Sequence, residues 1–306
     1  MSNRQRKALR EGFFDRGTIA IKRYYDGEKY FCPICGIGFD RTALSNGELT
    51  LEHSPPKAVG GKPVALTCHS CNSGSGHLFE SNLSGRAQLT GVTETILGER
   101  RNEPGRVSFQ IGDVWLNTQL YQDEKGVRTL EVLKGNDPKA IDETLKYLNG
   151  LTETKTWDGQ EFHIRSRVGY NHRLALIAEL KAAFITAFAA FGYRYAFDPR
   201  LSCVREQILK PSETIIDGWN ARIEHAQFSE FVLLYVGSIP GVVVKLGKSS
   251  VILPWVSGPD NLYKDLASRY QHGENIQITG KLLSWPSKLE MALDFQPRAD
   301  SCVDED

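Results

Sequence analysis

What the chain lacks narrows its class before any motif is read. No segment approaches ~18 uninterrupted apolar residues, so no membrane span is expected. The opening MSNRQRKALREGFF has no apolar core of the kind a secretory leader carries. Only six cysteines occur in 306 residues, too sparse for a disulfide scaffold, and a reducing cytoplasm is the expected compartment. There is no internal repeat and no long low-complexity tract. Net charge is also missing, because 37 Lys and Arg balance 37 Asp and Glu. That balance counts mildly against a nucleic-acid enzyme, which is often basic overall.

The charge is unevenly placed, however. Arg4, Arg6, Lys7, Arg10, Arg16, Lys22 and Arg23 face only Glu11 and Asp15 in the first 24 residues, while Asp300, Asp304, Glu305 and Asp306 close the chain. A basic helical arm over residues 1–29 can track phosphates, or simply be a solvated surface.

Hydrophobic patterning predicts an α+β protein. Residues 5–25 read as helix, 29–36 as a short strand and knuckle, and 48–53 as a second strand. Pro55, Pro56, Gly60, Gly61 and Pro63 make 54–63 a loop, followed by a short helix from about His77 to Leu83. Alternation through Val107, Phe109 and Ile111, with a turn at 123–126, predicts a hairpin or small sheet. Pro138 opens an amphipathic helix ending near Leu148. Asn171 caps a long helix that Gly192 stops, with Leu174, Ile177, Leu180, Phe184, Phe188 and Phe191 on one buried face. Tyr193 and Tyr195 beyond it can stack on a base or fill the core. A helix over 200–209 stops before Pro211; β-branched runs then dominate from Phe228, around a helix at 262–270. The expected segments are a basic arm (1–29), a cysteine-bearing module (30–95), an α+β middle region (96–225) and a β-rich C-terminal region with an acidic tail (226–306). The best linker candidate is Arg100 to Gly105.

The chemistry is concentrated near the N-terminus. Cys32-Pro33-Ile34-Cys35 and Cys68-His69-Ser70-Cys71 are separated by 32 residues. Two such turns point four thiolates at one centre and suit a tetrahedral structural Zn²⁺. The spacing exceeds that of common zinc ribbons, so something is inserted between the knuckles. The insertion holds Leu51-Glu52-His53-Ser54-Pro55-Pro56 and Gly60-Gly61, and Cys71-Asn72-Ser73-Gly74-Ser75-Gly76 follows the second knuckle.

An acidic residue before a histidine, then Pro, Gly-Gly and Cys-x-x-Cys-Asn, resembles the HNH endonuclease family over residues ~30–85. The resemblance implies a ββα-metal module stapled by zinc on Cys32, Cys35, Cys68 and Cys71. It also implies a catalytic Mg²⁺ or Mn²⁺ on Glu52 and Asn72, with His77 as a weaker candidate ligand, since an i+4 ligand from Asn72 falls on Gly76. Oxygen ligands suit these hard cations. In the same reading His53 takes a proton from the water that attacks phosphorus, leaving 5′-phosphate and 3′-hydroxyl ends on DNA. Glu80 fits an acidic position that recurs in the family's Glu-His subgroup, and a structural hydrogen bond is the favoured role. Where many relatives carry a Lys after the Asn, this chain has Ser73, Gly74 and Ser75, so phosphate contacts are expected from Lys57, Lys62 or Arg86. A prokaryotic, phage-defence setting is implied. The alternatives are a catalytically inactive zinc module that binds nucleic acid, or a nuclease directed at RNA. The cutting centre is expected to be complete before residue ~85, leaving target choice to the C-terminal region.

Overall fold

The computed structural model describes residues 2–22, 24–97, 105–122, 128–154, 159, 161–165, 169–216, 231–236, 239–247, 249–256, 258–270 and 278–282. The expected turn at 123–126, most of the expected linker and the acidic tail lie outside them. Contacts divide the chain into two units, Met1–Leu83 with Asn171–Asp306, and Ser84–Tyr170.

The first unit begins with α1 (Asn3–Ile21), opened by a capping box in which Ser2 and Gln5 each satisfy the other's backbone N–H. It buries Phe13, Phe14 and Ile21, so the basic arm is the solvent face of a packed helix. Arg10 donates to the carbonyls of Leu44 and, at 2.8 Å, Leu49, which ties α1 to the hairpin region. β1 (Tyr30–Phe31) and β2 (Gly38–Phe39) pair antiparallel around the first knuckle. β3 (Leu49–Ser54) and β4 (Lys62–Cys68) form an antiparallel hairpin. The chain then turns into α2 (His69–Ser75), a π-helical segment Gly76–Glu80, and α3 (Ser81–Leu97).

This helical run starts eight residues earlier than the sequence suggests, and it extends further. Ser73, Gly74 and Gly76 are poor helix formers, but burial of Cys71, Ser75, Phe79 and Leu83 overrides propensity. The loop expected at 54–63 ends sooner because β4 already starts at Lys62.

The second unit carries β5 (Gly105–Ile111), β6 (Val114–Gln122), β7 (Arg128–Val132), α4 (Pro138–Thr154) and β8 (Phe162–Arg165). Its strands form one antiparallel sheet in the order β7-β6-β5-β8. Val92, Val107 and Leu120 form its small core.

The chain returns to the first unit through α5 (His172–Ala196), capped by Asn171, whose side chain accepts from Leu174 N–H at 3.1 Å. At Gly192 the backbone leaves the helical region (φ 72°, ψ −162°), so the first helical stretch stops there as expected and a second, short one continues across the kink to Ala196. α6 (Ser202–Leu209) packs on α5, and β9 (Phe231–Val236), β10 (Ile239–Leu246), β11 (Ser249–Pro254), α7 (Leu262–Tyr270) and β12 (Ile278–Leu282) complete the unit. The second sheet is antiparallel, in the order β11-β10-β9-β12.

α5 is long and apolar enough by composition to cross a bilayer, yet it is buried almost all round within the fold. One continuous core joins Phe13, Tyr30 and Leu66, through Phe184 and Phe188 of α5, to Val243 and Trp255. Tyr193 is part of it: its hydroxyl donates to the Phe31 carbonyl and accepts the Phe31 N–H, at 2.9 and 3.0 Å. Tyr195 donates to the Pro254 carbonyl. These two rings fill the core and offer no stacking surface. The units therefore cut the chain differently from the four segments expected, because α5 closes on the first eighty residues rather than on the segment before it.

Candidate functional site

The four cysteines meet in space. Their sulfurs all lie within 4.8 Å of one another, and Cys35 Sγ is 3.7 Å from Cys68 Sγ. Four sulfurs around one Zn²⁺ at the usual bond length stand about 3.8 Å apart, so the cluster has the spacing a tetrahedral ion requires. The first knuckle closes through Gly36 N–H to the Cys32 carbonyl and Cys32 N–H to the Ile37 carbonyl, with Gly36 at φ 75° reversing the chain. The second straddles the end of β4 and the start of α2. There the Cys68 N–H points at Cys32 Sγ at 3.5 Å, and Ser70 Oγ lies 3.1 Å from Cys68 Sγ. A hydrogen bond from Cys32 draws the Cys35 thiol down to about 7. The cluster is fitted to hold a metal such as zinc.

β3 carries the acid and the base. Its pairing with β4 slips between Glu52, opposite Ala65, and His53, opposite Pro63, leaving Val64 as a bulge. Pro63 has no N–H to give the ladder, and a bulge beside it separates the aims of two adjacent side chains. The turn beyond is tight: a Cβ at Gly61 would fall on the Pro55 carbonyl oxygen.

Glu52 turns inward and is 3% exposed. Its Oε2 accepts from Thr67 Oγ1 at 2.7 Å, and its Oε1 accepts from Lys181 Nζ of α5 at 2.9 Å. The same ammonium donates to Glu80 Oε1 at 2.5 Å. Burial alone would lower the Lys181 pKa, but Glu52 and Glu80 outweigh it and the net shift is upward. Glu80 holds its charge less firmly: burial, aided by Glu52, raises its pKa despite Lys181. Ser54, two residues on, also meets α5, donating to the Ala182 carbonyl at 2.7 Å and lying 2.5 Å from Thr186 Oγ1.

Asn72 serves the hairpin. Its Nδ2 donates to Thr50 Oγ1 at 2.9 Å and to the Leu51 carbonyl at 3.0 Å, and among the described residues no donor meets its Oδ1. Asn72 and Glu52 are therefore brought to the same strand. The carboxylate expected to hold a divalent cation nevertheless holds an ammonium, and both its oxygens are engaged. A second cation on Glu52 would face the charge of Lys181 at hydrogen-bond range, so in this arrangement the residues do not fit the metal role expected of Glu52.

His53 is half-buried and sits in a cationic setting. Burial lowers its pKa, and the charges of Lys57 and Arg6 lower it further; the Leu51 carbonyl and Glu80 act in the opposite direction. The imidazole is thus neutral near pH 7, the form that accepts a proton. Lys57 and Arg6 are exposed, and Lys62 is exposed opposite Ser54 on the hairpin. One further expectation changes. Arg86 belongs to the other unit and is 7% exposed, so it offers no open cation. His77 is exposed, and among the described residues the four cysteines are the one group of three or more His, Cys, Asp or Glu side chains close enough to share an ion.

Sequence reasoning missed Lys181 and Arg6 as members of the site. A lysine in the middle of an apolar helix is a signal that could have found the first, since a buried ammonium demands an acidic partner. No protein-family model, curated protein or solved structure matches the chain.

Proposed function

We propose that this chain is a phosphodiester hydrolase of the HNH kind, acting on DNA, with His53 as its general base. The observation that carries the reading is the setting of His53. Burial and the charges of Lys57 and Arg6 keep its ring neutral, on a bulged strand braced by Asn72. The cysteine cluster binds β1, β4 and α2 into one frame, which suits a structural zinc.

In this reading Arg6, Lys57 and Lys62 hold the phosphate. Water attacks phosphorus, and its proton passes to the imidazole as the new P–O bond forms. The bond to the 3′ oxygen breaks, and that oxygen takes a proton from solvent. The resemblance to HNH nucleases implies a divalent cation, which when bound would stabilise charge on the phosphate. Glu52 offers that cation no open oxygen here, so the chemistry assigned to this chain rests on His53 and the cationic rim.

A second reading, a zinc module that binds nucleic acid without cutting it, is favoured by one observation: Lys181 neutralises the acidic residue beside the histidine. Zinc-loaded full-length protein incubated with supercoiled plasmid, with and without Mg²⁺ or Mn²⁺, separates the two. Conversion to nicked or linear DNA supports the hydrolase. Retarded but uncut plasmid under every condition supports the binding module.

A further inference from the structure

The resemblance on which the proposed function draws requires a cation at Glu52, and the structure supplies one from within the chain. We propose that the Lys181 ammonium is the resident cation of the Glu52–Glu80 carboxylate pair, so that Glu52 is a docking residue for α5 and not a ligand for Mg²⁺ or Mn²⁺.

Three observations carry this. The ammonium bridges the two carboxylates, at 2.9 Å from Glu52 Oε1 and 2.5 Å from Glu80 Oε1. The other oxygen of Glu52 is taken by Thr67 Oγ1. The place is closed, because the side chains of Lys181 and Glu52 are 2% and 4% exposed. A divalent ion prefers several oxygens and usually keeps waters, and here it would have to displace a buried ammonium and bring its waters into the core. The bridge also has a structural reason to exist. Glu52 lies on the β3–β4 hairpin, Glu80 on the π-helical segment and Lys181 on α5, and one ammonium joins all three. A π-helical turn rotates the downstream helix relative to a continuous α-helix, and here that turn includes Glu80 itself.

Lys181 is therefore a positioning residue. It fixes the strand whose next residue, His53, faces the cationic rim, and His53 is within the electrostatic reach of Glu80.

The test is Mn²⁺ uptake by zinc-loaded full-length protein, read from the electron paramagnetic resonance signal of the free ion, with thermal melting alongside. Wild type and Glu52→Gln should take up the same Mn²⁺, because the glutamine oxygen can still accept from Lys181 while its amide NH₂ donates to Thr67 Oγ1. Lys181→Met leaves two buried carboxylates facing each other without a cation. It should melt lower, take up one Mn²⁺ more than wild type, and regain melting temperature when Mn²⁺ is added. A wild-type site that binds one Mn²⁺ and loses it in folded Glu52→Gln overturns the proposal. So does a Lys181→Met protein that Mn²⁺ neither binds nor stabilises, which settles the matter even if Glu52→Gln does not fold. Neither readout uses cleavage, so failure here is distinct from failure of the nuclease reading.

Discussion

The Lys181 ammonium donates to Glu52 Oε1 at 2.9 Å inside the core, although 129 positions separate the two residues. This pair makes α5 part of the site as well as part of the core. Removing one partner of a buried ion pair leaves an uncompensated charge and costs about 3–5 kcal/mol. Lys181→Ala should therefore lower the stability of the first unit by that amount in urea denaturation without added divalent ions. A loss under about 1 kcal/mol, the range of exposed pairs, would mean that the pair is solvated in solution.

The same relationship bears on the expectation of a self-contained module before residue ~85, because the core that supports those residues includes α5. A fragment ending near residue 100 lacks Phe184, Phe188, Tyr193 and Lys181, which fill the space beside Tyr30, Phe79 and Glu52. It should show no cooperative unfolding. The inserted unit is expected to be dispensable for folding of the first unit, which has its own core. Asn82 Oδ1 accepts from the Asn171 N–H at 2.7 Å, so the two ends of the insertion are already adjacent. Replacing 84–170 with a few glycines should leave a zinc-loaded, cooperatively folded protein. Loss of zinc on that deletion would show that the insertion supports the first unit.

Cys68→Ser should release the metal and unfold the hairpin, since structural zinc supplies folding free energy directly. Elemental analysis checks this on fresh protein. Stoichiometric zinc in that variant, or none in wild type, would contradict the assignment.

The pH dependence of cleavage derives from the cationic setting of His53. Its pKa lies below the ordinary 6.5, first through burial and then through Lys57. The protonated ring cannot act as base, so the rate should climb with pH through a midpoint below 6.5 and level off by neutral pH. Lys57→Met removes a repulsion on the imidazolium, raises the pKa toward its ordinary value, and should move the climb to higher pH. An unchanged midpoint would remove Lys57 from the environment of His53.

Much of this was legible in the residues. The two Cys-x-x-Cys turns fixed a four-sulfur centre, Asn171 is the N-cap it resembled, and the alternation after Arg106 does form antiparallel strands. Three things were not legible. The helix through Ser73-Gly74-Ser75-Gly76 owes its existence to burial of Cys71, Phe79 and Leu83, which propensity does not report. The partner of Glu52 comes from a helix whose apolar period gives no sign of what its one buried lysine meets. The N-terminal helix looked like a charged arm because its apolar positions are loosely spaced, yet Phe13 and Phe14 are among the most deeply buried side chains.

The central claim is tested most directly by the single-turnover cleavage rate of wild type against His53→Ala on one supercoiled plasmid, with zinc content and melting temperature matched. The expected result is cleavage by wild type and a loss of ~10²–10⁴-fold in the variant, the range for a missing general base. Equal rates in the two proteins, or no cleavage by wild type with any divalent ion, would contradict it.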